Sequence, residues 1–273
     1  MQELYWNKNL NIKQKPQEPF SQLQIPSHVP FYVRLNGRRF QAVSEALKTE
    51  KPFDEKFAKC LVVCGKAIFQ SKLAPTLVFV ASDEVNALFA YTAPFNLRVE
   101  KINSVLASTA SSVFSLSALK YFDKSLIVAF DSRIVMTTRE RLWEYLAWRQ
   151  RDAWRNHNNA YAYWLLRRLG HKPSEAAKKL KGLKTKDLHE LLFRHGINLA
   201  KTPTWQWRGI LIYREPFQKR VKTQTISRWR IKESWNLPIF STEEGQALIQ
   251  QVVEWAKPEN RGTDIARVHE AKN

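Results

Sequence analysis

Thr76-Leu77-Val78-Phe79-Val80-Ala81-Ser82-Asp83-Glu84-Val85-Asn86-Ala87-Leu88-Phe89-Ala90-Tyr91 is the stretch that decides the fold. Thr76 to Ala81 is a short apolar run bounded by Pro75, the pattern of a buried strand. Ser82-Asp83-Glu84 turns the chain, and Val85 to Tyr91 returns as a second strand. The stretch is therefore a hairpin whose turn carries two adjacent carboxylates. Asp83 and Glu84 repel each other and lose hydration there, a cost that a cation offsets. Magnesium is hard and prefers oxygen ligands of this kind. An ordinary acidic β-turn has the same composition, so the turn alone does not establish a metal.

Working outward, Phe31 to Asn36 reads as a strand, and Gly37 opens a turn. Asp54 can cap a helix running to about Gln70, with Phe57, Leu61, Cys64 and Ile68 on one stripe. Beyond the hairpin a helix is expected from about Arg98 to Tyr121, rich in the Ser and Ala that permit close packing. Leu126 to Phe130 and Arg133 to Met136 read as further strands. The order strand, helix, strand, strand, helix, strand is the ferredoxin-like split βαβ arrangement. That arrangement is also the palm of many polymerases and nucleotide cyclases, so it does not give function by itself. The expected class is α/β (α+β): a palm over residues 1–137, with a helical, basic part over residues 138–273 packed on it.

In that second part Thr137 and Glu140 have capping-box spacing, and a long helix should run to about Leu169, closed by Gly170. It interleaves Trp143, Trp148, Trp154 and Trp164 with arginines. Ser174 and Thr185 begin two short helices. Arg208 to Tyr213 reads as a strand, Lys219 to Trp235 is basic with interleaved aromatics, and Thr242 to Trp255 is a last helix. Residues 1–30, with Pro16, Pro19, Pro26 and Pro30, read as an irregular arm, and the last 15 residues as a frayed end.

Charge narrows the partners. Lys plus Arg is 44 against 25 for Asp plus Glu, a net charge of +19. Such a surplus attracts polyanions. The 10 Trp and 8 Tyr can stack on bases. Nucleic acid is the first partner to consider. The apolar runs are too short to span a bilayer and the N-terminus has no apolar signal core, so a cytoplasmic protein without membrane contact is expected. Cys60 and Cys64 lack a second ligand pair for zinc and read as small core residues.

The turn that follows the first strand adds to the candidate site. Backbone N–H groups after Gly37 can cradle a triphosphate, Arg38 and Arg39 can reach phosphate oxygens, and Lys101 can point to the same place. Here the motifs form a series. Phe31-Tyr32-Val33-Arg34-Leu35-Asn36-Gly37-Arg38-Arg39-Phe40 comes first and Lys51-Pro52-Phe53-Asp54-Glu55 next. Ser82-Asp83-Glu84, Phe130-Asp131-Ser132-Arg133 and Trp148-Arg149-Gln150-Arg151-Asp152 follow. Glu190-Leu191-Leu192-Phe193, Gly196-Ile197-Asn198 and Arg208-Gly209 complete it. In this order and spacing, over about residues 5–255, the chain resembles the tRNA-His guanylyltransferase family, particularly its archaeal-type guanylyltransferase-like branch.

The resemblance implies nucleotide addition in the 3′-to-5′ direction. In that chemistry a tRNA 5′-phosphate is activated with a nucleoside triphosphate, often ATP. The 3′-hydroxyl of GTP or another nucleotide then attacks the activated end. It implies two magnesium ions at Asn36, Gly37, Asp83 and Glu84, and catalytic roles for Asp83, Glu84 and Asn36. It places the nucleotide on Asn36, Gly37, Arg38, Arg39, Phe40, Gln41, Ser82, Asp83 and Lys101. It implies tRNA, by name tRNA-His, as partner of a homodimer or homotetramer, with Arg149, Arg151, Arg155, Asn156 and Arg208 as tRNA contacts. Two departures stand out. The family's first metal-binding Asp is Asn36 here, and an amide bridges two cations poorly. An ungapped alignment also puts Trp154 and Asn156 where eukaryotic-type members have His and the first Asn of a His-x-Asn-Asn motif, which favours template-dependent addition or 5′-end repair. The alternatives are a catalytically impaired tRNA-binding protein of the same fold, and a palm-domain cyclase. The cyclase leaves the basic, Trp-rich half unexplained.

Overall fold

The computed structural model describes residues 18, 20–71, 73–221 and 224–261. Most of the expected N-terminal arm and of the frayed end lies outside the described residues. The central sheet is antiparallel, with strand order β4-β1-β3-β2-β5-β6. Its first four strands are β1 (Phe31–Gly37), β2 (Leu77–Ala81), β3 (Glu84–Phe89) and β4 (Phe130–Met136). With α2 (Glu55–Gln70) after β1 and α3 (Val99–Phe122) after β3, they form the split βαβ palm.

Each helix begins where its chemistry allows. Asp54 accepts from the amides of Lys56 and Phe57, which otherwise lack partners in the first turn of α2. Thr242 does the same, through the Gly245 amide, for α8 (Glu243–Trp255). Helix α3 is long and apolar enough to cross a membrane by length and composition. Its stripe of Ile102, Leu106, Ala110, Phe114 and Ala118, spaced four apart, is instead buried in the core shared with α2 and the sheet. Cys60 and Cys64 lie in that core as free thiols. Burial pushes both above the usual thiol range, Cys60 to about 12. The opposite face of the sheet carries Tyr32, Leu77, Phe79 and Leu88, covered by Leu142, Tyr145 and Leu146 and by Ile249 and Val252 of α8.

Several expectations change. A short helix, α1 (Phe40–Ala46), follows the Gly37 turn. Leu126 to Ala129 is not a strand, and only Phe130–Met136 pairs with β1. Thr137 does not cap the long helix. A single 3-10 turn, Arg139–Arg141, comes first, and α4 (Leu142–Arg168) starts after it. The two short helices are α5 (Pro173–Leu180) and α6 (Thr185–Arg194), each with a carboxylate returning to the amide before its first residue. After α7 (Trp205–Arg208), strand β5 (Ile210–Val221) pairs with β2 and runs on into β6 (Gln224–Ser234). The basic stretch expected at 219–235 is thus largely one arm of a long hairpin. At Gly209, φ is +77, and a Cβ there would meet the Phe79 ring at 2.5 Å. The chain can pass from α7 into the sheet only with glycine at that point.

Candidate active site

The end of β1 and the start of β4 meet the Ser82-Asp83 turn between β2 and β3. The register sets Asn36 opposite Glu84 on one side and opposite Asp131 on the other. The Gly37 amide donates to the Asp83 carbonyl at 3.0 Å, and the Arg38 amide to the Ala129 carbonyl at 2.9 Å, so the turns are stapled together. Gly37 has no room for a side chain: a Cβ would lie 2.3 Å from the Phe40 ring. Phe40 in turn is packed on Phe57, Phe114 and Phe130. Arg39 and Ser82, one in each turn, have left-handed backbones with φ of 56 and 57. Each costs roughly 1–2 kcal/mol, so tertiary contacts must hold both. Arg38, Arg39 and Gln41 are exposed beside them.

The two carboxylates of the hairpin turn have different surroundings. Glu84 is buried. Its Oε1 accepts from Arg34 and from Arg149 Nη2 at 2.8 Å, and its Oε2 accepts from Arg149 Nε at 2.9 Å. Arg149 Nη1 donates to Asp152 at 2.8 Å, and Arg155 pairs with the other Asp152 oxygen. Of the expected roles, Glu84 thus meets two guanidinium groups, and Arg149 lies buried in this ion pair, its side chain 6% exposed. The reason is that a buried carboxylate requires a cation, and the buried guanidinium supplies it in a two-point fork. Asp83 is half-buried and has no ion pair among the described residues. Burial raises its carboxyl above the ordinary range, against the opposing pull of its backbone hydrogen bond.

Asn36 donates through Nδ2 to Asp131 Oδ2 at 3.4 Å, a long contact. Lys101 is exposed, with its ammonium 5.7 Å from the Phe95 ring centroid. Among the described residues no group of three or more His, Cys, Asp or Glu gathers as a metal site. The hard oxygen donors around the turn are the Asp83 and Asp131 carboxylates and the Asn36 amide. Magnesium is commonly held by one or two carboxylates plus substrate phosphates. In chemical type the set suits a magnesium ion completed by substrate phosphates, although Arg133 Nε also lies 3.4 Å from Asp131 Oδ1.

A cavity of about 240 Å³ opens beside Ser82 and Asp83, lined also by Gln41, Thr49, Lys51, Phe53 and Trp205. Lys51 donates to Ser44 and, at 3.0 Å, to Thr49, and burial lowers its pKa from the usual lysine value. Phe53 packs edge-on against Trp205 and 5.7 Å from His157. Sequence reasoning gave none of Lys51, Phe53, Asp131 and Trp205 a role. Lys51, Phe53 and Asp131 stand in the quoted motif series, which was a usable signal. Trp205 carried none, because it reaches the palm from the other half of the chain.

The expected tRNA contacts separate. Arg151, Arg155 and Asn156 are exposed on α4. Arg208 is half-buried, donating to the Leu237 carbonyl at 2.7 Å with its guanidinium 4.1 Å from the Trp207 ring centroid. On the β5–β6 hairpin, buried Glu215 accepts from Arg230 and Lys232, while Lys219 and Arg220 are exposed.

A family model described as tRNAHis guanylyltransferase matches residues 13–138, and one described as the Thg1 C terminal domain matches residues 140–265. The chain belongs to the tRNAHis guanylyltransferase family, a family of nucleotidyltransferases. It is 31% identical to a probable tRNA(His) guanylyltransferase of Drosophila melanogaster, with 70% of this chain and 69% of that protein covered. It is 31% identical to the tRNA(His) guanylyltransferase of Saccharomyces cerevisiae, over 67% of this chain and 81% of that protein. The match to tRNA(His) guanylyltransferase 1 of Arabidopsis thaliana, at 30% identity, spans only 35% of that longer protein. Among solved structures, a bacterial guanylyltransferase-like protein in complex with ATP superposes with a TM-score of 0.68 at 26% identity. It covers 85% of this chain and 94% of that one. A complex of such a bacterial protein with GTP superposes with a TM-score of 0.64. The mixed α/β architecture with an antiparallel sheet is the family's.

Proposed function

We propose that the chain adds nucleotides to the 5′ end of tRNA in the 3′-to-5′ direction, with tRNA-His or 5′-truncated tRNA as substrate. The single observation that carries this reading is the joining of the Gly37 turn to the Ser82-Asp83 turn at the mouth of a cavity with aromatic walls. The cavity is below the roughly 300–1,000 Å³ of whole small-molecule sites, so it suits a base, with phosphates lying outside it. The amides of Arg39 to Gln41, with the Arg38 and Arg39 side chains, then face the triphosphate, and Phe53 and Trp205 flank the base. Asp83, with Asn36 and Asp131, would hold magnesium, which when bound stabilises the entering and leaving oxygens of an in-line displacement. The protein's own part is to align the attacking 3′-hydroxyl with the activated 5′-phosphate. ATP and GTP fit this as activating and added nucleotides. Assembly as a dimer or tetramer, with tRNA crossing between subunits, belongs to the same reading. The test is a 5′-labelled monophosphate tRNA incubated with magnesium, ATP and GTP. A product one nucleotide longer at its 5′ end supports it, and an unchanged 5′ end across tRNA substrates sinks it.

A second reading rests on the neutral amide of Asn36 and the full engagement of Glu84: a tRNA-binding protein of this fold with impaired catalysis. The same assay separates the two, because this reading keeps tRNA affinity without product.

A further inference from the structure

We infer that Arg149 is a positioning residue: by pinning Glu84 to α4 it fixes the turn that presents Asp83. The inference rests on the proposed role of Asp83 in holding a cation at nucleotide phosphates. Glu84 is the first residue of β3 and the covalent neighbour of Asp83, so whatever immobilises its side chain limits the motion of the turn. Arg149 does this from the other half of the chain. Its Nε and Nη2 reach the two Glu84 oxygens at 2.9 and 2.8 Å. The two side chains are only 6% and 8% exposed. The planar fork sets direction as well as distance, which a lysine cannot do. The third contact, Nη1 to Asp152 at 2.8 Å, keeps the guanidinium from swinging.

Two further contacts make the attachment stiff. Arg34 holds Glu84 Oε1 from the sheet side. One helical turn before Arg149, Tyr145 donates to the Oδ1 of buried Asn86 at 2.7 Å, two residues along β3 from Glu84. Helix α4 is therefore bolted to the start of β3 at two successive positions on one strand face. The left-handed Ser82 backbone sits immediately before this anchored segment, and a strained conformation persists only where its surroundings over-determine it. The competing explanation is that the pair only neutralises buried charge. If so, replacing the pair by apolar side chains leaves the turn as ordered as before, whereas a pinning role predicts a looser turn, so the two explanations diverge on one variant.

The experiment compares the full chain with Arg149→Lys and with the double variant Arg149→Met, Glu84→Met. Thermal melting reports the fold, hydrogen exchange of peptides spanning residues 80–86 reports the turn, and Mn2+ binding followed by its electron spin resonance signal reports the Asp83 site. The double variant is expected to melt below the parent, since Arg34 loses its carboxylate, and its turn to exchange about tenfold faster while peptides elsewhere in the sheet exchange as in the parent. Its Mn2+ affinity should fall about tenfold, with Arg149→Lys intermediate in both readouts. A well-folded double variant with unchanged exchange and unchanged Mn2+ affinity overturns the inference. If the double variant does not fold, Arg149→Lys decides on the same two readouts. A parent chain that neither binds Mn2+ nor extends tRNA sinks the reading of Asp83 itself, whereas exchange at the turn still decides whether Arg149 pins it.

Discussion

At the tip of β1, an amide occupies the place between two carboxylate-bearing strands. Asn36 lies opposite Glu84 and Asp131 and donates weakly to Asp131. Asn36→Asp replaces that contact with like-charge repulsion, which a bound cation relieves. The variant is expected to melt below the parent without metal, to recover with magnesium by binding linkage, and to add nucleotide about tenfold faster. Parent and variant must be checked by mass, since Asn36-Gly37 is prone to deamidation. Equal melting and equal rates would remove Asn36 from the site. His157 gives a second prediction at this scale. It is buried, with Nε2 2.9 Å from the Thr202 hydroxyl and Nδ1 3.2 Å from Asn158. Burial lowers its pKa to about 4, with some help from His189. The unfolded chain therefore takes up a proton near the ordinary histidine value, while the folded chain does not until about pH 4. Stability contributed here is present above roughly pH 6.5 and is lost as pH falls toward 4, by up to about 3 kcal/mol. The acid-side fall in Tm should be shallower in His157→Gln than in the parent. Parallel Tm curves refute this.

At the scale of elements, α2 depends on one cap. Asp54 Oδ1 accepts from the Lys56 and Phe57 amides, and Oδ2 accepts from the Glu50 amide at 2.9 Å. Asp54→Ala should cost about 0.5–2 kcal/mol, read as a lower urea midpoint with an unchanged slope. A change below a few tenths would mean the helix is held by packing alone. This cap was legible in the sequence because Asp54 immediately precedes a periodic apolar stripe. The split of Leu126 to Met136 into two strands failed for an equally local reason. Leu126 and Ile127 look like strand residues, but Ile127 is 99% exposed, and pairing begins only where β1 has a partner residue to offer. Hairpin β5–β6 was missed as a unit because Arg214-Glu215-Pro216 and Gln218-Lys219-Arg220 break the alternation along β5, although Arg228-Trp229-Arg230-Ile231-Lys232 in β6 does alternate. Its pairing to β2 is made by Ile210 to Tyr213 alone.

For the whole molecule, net charge of +19 predicts salt-sensitive RNA binding. Arg151 on α4, one of the expected tRNA contacts, and Lys219 on the basic β5–β6 hairpin are both exposed. Reversing both to Glu should weaken tRNA binding about tenfold and reduce the slope of log affinity against log salt by roughly 1–2. Fluorescence anisotropy over a salt series measures both quantities. Unchanged affinity and slope would exclude these surfaces.

By itself the sequence determined the palm, the Ser82-Asp83-Glu84 turn and the family. These rest on short-range signals: apolar periodicity, a helix cap, and motifs kept in order. Only the tertiary structure decided what each carboxylate of that turn can do. Asp83 and Glu84 are adjacent in sequence, but Glu84 points toward α4, where Arg149 lies 65 residues further along the chain, while Asp83 remains without an ion partner among the described residues. Trp205 reaches the cavity from still farther along the chain. A carboxylate's availability to a metal depends on which cations share its buried surroundings. Those neighbours are brought in by long-range packing, which leaves no mark on the local sequence.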